Sequence, residues 1–183
     1  MREHTFFFIL VGVALALSFS SSCMKSTSPE ELKASVEIVN VETKWVAKTY
    51  QPWPPRLILV PVISFQVKNI SNKPLNYVNF NAIFKFKDET ENFGDNFLAA
   101  IRKEPVAPGE LSKVITLKSN FGSEGRSLAS FKDNPGWKPT VCRLFIQSKG
   151  SPHVLLGEYD VSRKIDFKEP EPVGMEKKEE KKD

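Results

Sequence analysis

Apolar and polar side chains alternate through residues 78–87 more regularly than anywhere else in the chain. The apolar positions are Val78, Phe80, Ala82, Phe84 and Phe86. The positions between them are mostly Asn or Lys, and Ile83 is the exception. A period of two residues places one set of side chains on each face of a strand, and a single buried face is typical of antiparallel sheets. This segment therefore requires a sheet with a core on one side.

Five further segments have the composition of strands: residues 34–48, 56–69, 111–118, 140–148 and 154–165. They are rich in Val, Ile, Thr and aromatic residues, and turn-forming residues separate them. Pro61 suggests a bend or an edge position, and we expect a bulge near Trp45. The turn residues from Asn69 to Pro74 predict a hairpin that pairs residues 56–69 with residues 78–87.

The remaining segments add little regular structure. Residues 93–103 have some helical potential, enough for one short turn, and residues 119–137 form the longest irregular stretch. Six strands, no long helix and hairpin-like connections predict an all-β fold, an antiparallel immunoglobulin-like β-sandwich of about six or seven strands. A small barrel is the alternative, since the Cys…Trp…Cys spacing of antibody domains is absent from the sequence.

The N-terminus has the features of a secretory signal. Arg2 precedes an apolar run from Phe6 to Phe19, and three serines then lead into Cys23. About 14 residues would rise only ~21 Å as a helix, short of a ~30 Å hydrocarbon core, which disfavours an uncleaved anchor. With its terminal cysteine, the segment resembles a bacterial lipoprotein signal. The resemblance implies that Cys23 carries acyl chains such as palmitate and becomes the mature N-terminus, with plain secretion as the alternative.

Composition divides the chain into four parts. Residues 1–22 are predicted to be the lipoprotein-type signal peptide, and residues 23–32, polar and containing Pro29, a flexible tether. Residues 33–167 are predicted to form the β-sandwich domain. Residues 168–183 are low in apolar residues and rich in Lys and Glu, which predicts a disordered charged tail.

The charge distribution restricts the class of partner. The net charge is +4, and the Lys and Arg residues are scattered along the chain. Nucleic acid is excluded as a partner because the chain looks exported and has no basic cluster. Anionic lipid headgroups or acidic polysaccharide could meet a mildly basic face, although a solvated surface is the simpler interpretation.

The two cysteines have different predicted roles. Acylation of Cys23 would leave Cys142 without a partner, and an unpaired thiol in an oxidising compartment is usually buried. Cys142 alternates with Leu144 and Ile146, which places it on an inward face. No His or second Cys is spaced to make it reactive or metal-binding.

Residues with catalytic or metal-binding chemistry are sparse. His4 lies in the signal and His153 follows Pro152 at a turn, so no base is spaced to activate a nucleophile. The acidic residues do not match a calcium-binding loop; they are Asp88, Glu89, Glu91 and Asp95. We therefore predict no enzyme activity, no cofactor and no metal site.

Aromatic residues in or beside proline-rich turns are the remaining candidates for binding. They are Trp45, Tyr50, Trp53 and Trp137. Such rings can anchor a protein partner or stack on sugars. They also commonly close the open ends of a sandwich core, and we favour that interpretation.

Turn motifs link residues 64–118 to a known kind of domain. The segments are Val67–Leu75, Phe84–Asp88 and Pro108–Glu110. Their Asn-x-Ser-x-x-Pro-Leu turn, strand ending in Asp and Pro-Gly-Glu turn resemble small bacterial exported domains of the FxLYD type. The resemblance implies an immunoglobulin-like fold in the cell envelope and no active site.

These observations predict a lipid-anchored binding or structural module of the cell envelope, without catalytic activity. It would sit on the periplasmic or extracellular side of a membrane, held by its N-terminal lipid. Its partner would be another envelope protein or a polysaccharide. The alternative is a carbohydrate-binding or enzyme-accessory domain that uses the loop aromatics.

Overall fold

Nine strands and two short helices form the described part of the computed structural model, residues 28–132 and 134–170. The elements are α1 (Pro29–Ala34), β1 (Val36–Gln51), β2 (Arg56–Asn69), β3 (Val78–Phe86), β4 (Asn92–Ile101), β5 (Ile115–Lys118), β6 (Ser123–Gly125), α2 (Ala129–Lys132), β7 (Thr140–Ser148), β8 (Val154–Asp160) and β9 (Ile165–Asp166). Neither described helix is long and apolar enough to cross a membrane.

The strands form two sheets that pack against each other. One sheet has the order β5-β2-β1-β9, with β6 also paired to β2, and the other has the order β4-β3-β7-β8. All pairs are antiparallel except the short β1–β9 pair. The predicted all-β sandwich is confirmed, with more strands than the six or seven expected.

The inward-facing side chains of β3 form the centre of the core. Phe80, Ala82 and Phe84 are fully buried, as predicted. Phe80 meets Phe65 of β2 edge to face, with ring centroids 5.1 Å apart. The contact joins the two sheets, so the inward face of β3 lies against the inward face of β2.

The predicted hairpin between β2 and β3 is wrong. The two strands lie in different sheets, and residues 70–77 cross between them. Asn69 is buried, and its amide donates to the carbonyl oxygens of Lys73 (2.8 Å) and Val106 (2.9 Å). Its backbone also exchanges hydrogen bonds with Gly109 (2.8 Å) and Glu110 (3.0 Å). These bonds direct the chain away from β2, because the neighbouring positions beside β2 are taken by β1, β5 and β6.

A second correction concerns residues 93–103, where a short helical turn was expected. They lie mostly in β4, which pairs with β3 from Val78–Ile101 to Lys85–Asn92. The helix-favouring Leu98-Ala99-Ala100 segment is overridden because β3 offers it a free row of backbone hydrogen bonds.

The tether prediction is wrong for residues 29–32, which belong to α1. The Ser28 hydroxyl accepts a hydrogen bond from the Glu31 amide (3.1 Å) and so caps the helix, with Pro29 in its first turn. Leu32 is buried in the core. Residues 1–27, including the predicted signal and Cys23, and residues 171–183 of the predicted tail lie outside the described residues.

The structure differs from the prediction in two other segments. The stretch 119–137 contains β6 and α2, and the expected strand 154–165 is split between β8 in one sheet and β9 in the other. In β1, the pairing with β2 shifts between Val39 and Glu42 and again between Ala47 and Thr49. These irregularities flank Trp45, near which a bulge was expected.

Pro61 lies inside β2 at a gap between partner strands. β5 pairs with Val62–Phe65 and β6 with Leu57–Leu59, so neither reaches Pro61. The Pro61 carbonyl accepts a hydrogen bond from the Ser119 amide (3.0 Å). Its nitrogen, which lacks a hydrogen, faces the same side, so no ladder bond is lost.

The two ends of the sandwich carry different elements. The α1 end holds α1, the connection 70–77, the connection 102–111 and the turn 149–153, and the Ile70 amide donates to the Ser35 carbonyl there (3.0 Å). The hairpin end holds the Pro52–Pro55 turn, which joins β1 to β2, together with β6 and α2.

Candidate binding surfaces

Two of the four candidate aromatics are buried and cannot contact a partner at the surface. The Trp45 and Trp137 rings meet edge to face at 5.6 Å, and Trp137 also meets Phe131 at 5.8 Å. The Arg163 guanidinium lies 5.0 Å from the centre of the Trp137 ring. These contacts close the core. Trp45 and Trp137 were binding candidates in the sequence, but their rings are not available at the surface.

The other two candidates differ in exposure. Tyr50 is half-buried and packs on Phe167 with ring centroids 5.4 Å apart. Trp53 is 84% exposed, and its carbonyl accepts a hydrogen bond from the Gln51 amide side chain (2.9 Å). Trp53 is thus the one of the four candidates whose side chain is largely exposed.

Cys142 is fully buried, as the alternation predicted. Burial raises the pKa of its thiol to about 12, and burial also raises the pKa of the neighbouring Tyr159 phenol. A thiol with so high a pKa is overwhelmingly protonated near neutral pH, so it is a poor nucleophile.

The polar candidates are engaged in structural contacts. His153 lies parallel to the Phe97 ring at 6.2 Å and hydrogen bonds to the Gln147 side chain (2.9 Å). Within residues 28–132 and 134–170, no three His, Cys, Asp or Glu side chains come together as metal ligands would. Glu89 instead pairs with Lys138 (2.5 Å).

Ion pairs hold edges of the first sheet together. Lys44 and Asp166 join β1 to β9 at 2.8 Å, and their hydrogen bond lowers the pKa of Asp166 and raises that of Lys44. Arg56 contacts Glu124 through two bonds of 2.9 Å, and this hydrogen bonding lowers the pKa of Glu124. Both pairs are solvent-accessible and link neighbouring strands, so their role is structural.

A groove of about 780 Å³ separates the two sheets along one side of the sandwich. Its walls are the second half of β4 and residues 110–116, which lead into β5. β4 and β5 are edge strands of different sheets, and they are not paired with each other. The wall from β4 presents a strand edge to the groove, and the other wall is mainly the chain that leads into β5. We call this feature the edge groove.

Hydrogen bonds fix the chain at each end of the edge groove. At one end the Asn120 amide donates to the Asp95 carbonyl (3.1 Å), and the Asn96 side chain donates to the Lys118 carbonyl (2.5 Å). At the other end Leu75 and Val106 exchange backbone bonds of 2.9 and 3.2 Å. The two walls are thus held at fixed positions while the space between them stays open.

The lining of the edge groove is partly apolar and exposed. Val114 is 65% exposed and Leu111 49%, and Leu98 faces them from β4. Lys113 and Glu104, which both line the groove, form an ion pair of 2.6 Å. Both side chains of this pair are mostly exposed, so it contributes little stability and can open at small cost.

The sequence held one signal of this groove. In the predicted strand 111–118, Ile115 and Leu117 face the core, so Val114 has to face outward. A single exposed valine is common on protein surfaces, so this signal alone did not identify the groove. The opposite wall had no such signal, because β4 was not recognised as a strand.

Comparison with known proteins assigns this chain to no family. No family model matches the sequence, and no curated protein matches it either. The resemblance to FxLYD-type domains and to lipoproteins therefore stays a prediction.

Two solved structures of bacterial proteins are similar to the described fold. One is the ApaA protein of Bordetella pertussis, with 13% identity, a TM-score of 0.39, and coverage of 70% of this chain and 93% of that chain. The other is the ligand-binding region of serine-glutamate repeat protein A from Enterococcus faecium, with 15% identity, a TM-score of 0.26, and coverage of 65% and 89%.

Proposed function

We propose that this chain is a lipid-anchored binding module of the bacterial cell envelope. In this proposal it holds an extended segment of another envelope protein in the edge groove. The signal-like N-terminus and Cys23 support the location. The edge groove carries the binding role, because it is a preformed space between the free edge of β4 and the chain that leads into β5, with exposed apolar side chains.

An extended peptide suits the edge groove better than a compact ligand does. A strand edge offers unpaired backbone N–H and C=O groups, and an added strand satisfies them while alternate side chains enter pockets. Leu98, Leu111 and Val114 would contact the apolar side chains of such a strand. The polar walls near Lys113 and Glu104 would face its solvent side.

A carbohydrate-binding role has weaker support. It would depend on Trp53, since Trp45 and Trp137 are buried and Tyr50 is covered by Phe167. One ring on an isolated turn offers one stacking contact, whereas the edge groove offers a continuous surface. We therefore base the proposed binding role on the edge groove and not on Trp53.

The anchoring half of the proposal predicts the behaviour of Cys23→Ser. The variant should move from the membrane fraction to the soluble fraction and carry no acyl chain, because several acyl chains hold a protein stably on a bilayer. Fractionation and mass spectrometry of the N-terminal peptide measure both effects. A serine variant as firmly membrane-bound as the wild type would contradict lipid anchoring.

The proposed binding of a partner in the edge groove predicts which residues will crosslink to that partner. A photoreactive amino acid at Val114 should give one discrete adduct with an envelope protein in cells, and Leu111→Asp should abolish the adduct. Both positions are substantially exposed, so their substitution should change stability by about 0.5 kcal/mol or less. Mass spectrometry of the adduct identifies the partner segment.

Val41 provides the matched control, because it is an exposed valine outside the edge groove. The same photoreactive group at Val41 should give no comparable adduct, and Val41→Asp should leave the Val114 adduct intact. Equal adducts at the two positions would mean that the edge groove is not the binding surface.

A further inference from the structure

Three residues at the α1 end form a row across the second sheet. Ile101, Val78 and Ser148 are aligned by the β4–β3 and β3–β7 registers. The next position beyond each of them in that direction is Arg102, Tyr77 and Lys149. These three, with Asn79, Gln147 and Gly150, line a shallow pocket of about 330 Å³. We call it the end pocket.

The end pocket has unbalanced positive charge. Arg102 and Lys149 are exposed, and neither forms an ion pair within residues 28–132 and 134–170. Glu31 and Glu104, at the same end, are each paired with a lysine. Glu30 and Glu110 at this end are offset by Lys33 and Lys103, so the end as a whole is mildly basic and Arg102 and Lys149 are its two cations in the pocket. The pocket therefore suits an anionic group.

An aromatic ring stands between the two cations. Tyr77 is 56% exposed and has a φ of 54°, a left-handed conformation that tyrosine rarely adopts. Ile70, in the same connection, is 54% exposed. An exposed tyrosine is suited to the boundary between membrane and water, because its ring is apolar and its hydroxyl stays hydrated.

The chain length to Cys23 limits how far this end can be from a membrane. Ser28 caps α1, and the Ser35 carbonyl at the other end of α1 binds Ile70. Ser28 is five positions after Cys23, so the two residues can be at most ~18 Å apart. If Cys23 is acylated, the α1 end is the part of the sandwich that the anchor keeps close to the bilayer.

We propose that the α1 end docks on the membrane, with anionic lipid headgroups in the end pocket between Arg102 and Lys149 and with Tyr77 at the headgroup level. This inference rests on the proposed anchoring at Cys23. It adds an orientation: the hairpin end, with Trp53, points away from the bilayer.

Chemical anchoring tests the orientation without cellular acylation. The chain from Cys23 to Asp183 is coupled through the Cys23 thiol to a maleimide lipid. The reaction is selective for Cys23, because Cys142 is buried. Hydroxyl-radical oxidation is then measured on vesicles of phosphatidylglycerol with phosphatidylcholine and on vesicles of phosphatidylcholine alone. Two cations at an anionic surface should favour the docked orientation by roughly 30-fold. We expect strong protection of Tyr77 on the anionic vesicles alone, with Trp53 oxidised equally on both.

Two double variants separate the end pocket from general charge. Arg102→Gln with Lys149→Gln should remove the protection of Tyr77. Lys87→Gln with Arg126→Gln removes the same charge from the opposite end and should leave the protection unchanged. Equal oxidation of Tyr77 on both vesicles, or loss of protection in both double variants, would overturn the proposal.

A soluble acidic polysaccharide, polygalacturonate, is the competing ligand in the same measurement. Protection of Tyr77 by polygalacturonate but not by anionic vesicles would overturn membrane docking. Because the lipid is attached chemically, either result leaves the fractionation test of Cys23→Ser independent. Failure of docking and failure of lipid anchoring can therefore be told apart.

Discussion

Phe84→Ala is expected to lower the free energy of unfolding by about 3–5 kcal/mol. Phe84 is fully buried in the second half of β3, opposite Cys142 of β7 and Gly94 of β4. Removing its ring takes away apolar burial and leaves a cavity that strands fixed on both sides cannot close. Urea denaturation followed by far-ultraviolet circular dichroism measures the change.

Lys85→Ala is the matched control at the next position of the same strand. Lys85 faces the other side of the sheet, where its ammonium group is 3.3 Å from the Glu89 carbonyl oxygen. Its loss should cost less than about 1 kcal/mol. Similar losses at Phe84 and Lys85 would contradict the assignment of the buried face.

Native Cys142 is expected to react with a thiol reagent on the order of 10³-fold more slowly than the same thiol in denaturant. Burial raises its pKa from 9.0 to about 12, which lowers the thiolate fraction at neutral pH by the corresponding factor. Steric closure of the core slows the reaction further. The Cys23→Ser variant leaves Cys142 as the sole thiol for this measurement.

Labelling in denaturant provides the control, since there the thiol is exposed and its pKa returns toward the ordinary value. Rapid labelling of the folded variant would show that Cys142 reaches solvent. A redox role or an intermolecular disulfide at Cys142 would then replace its role as a buried apolar side chain.

The two proposed surfaces are compatible in space. Arg102 lines both the end pocket and the edge groove. A peptide bound in the edge groove would therefore lie beside the docked membrane surface. The protein would present an envelope partner close to the bilayer, which suits a partner that is itself anchored there.

Local sequence determined the strand at residues 78–86 and its buried face. A period of two residues can bury one face only as a strand, so the alternation of Phe80, Ala82 and Phe84 leaves a single solution. The same logic placed Cys142 inward. Turn chemistry also identified Asn69–Pro74 and Pro108–Glu110 as turns, because Asn, Pro and Gly favour those backbone conformations.

Tertiary structure decided which strands pair. The turn after Asn69 is compatible with a hairpin, but the side chain of Asn69 binds Val106, far along the chain, and the chain crosses to the other sheet. Residues 93–101 became a strand because β3 had a free edge beside them. Both outcomes depend on partners distant in sequence, which local propensity does not encode.

Tertiary structure also decided which surfaces are available for binding. Trp53 and Trp137 both lie beside prolines, yet one is exposed and the other closes the core against Trp45. The edge groove exists because β4 and β5 are held together near Asp95 and Asn120 and stay unpaired beyond them. The sequence by itself determined most of the strands and the inward faces of β3 and β7, because these depend on neighbours along the chain. The groove and the end pocket were decided by packing, because each joins residues from strands that only the fold brings together.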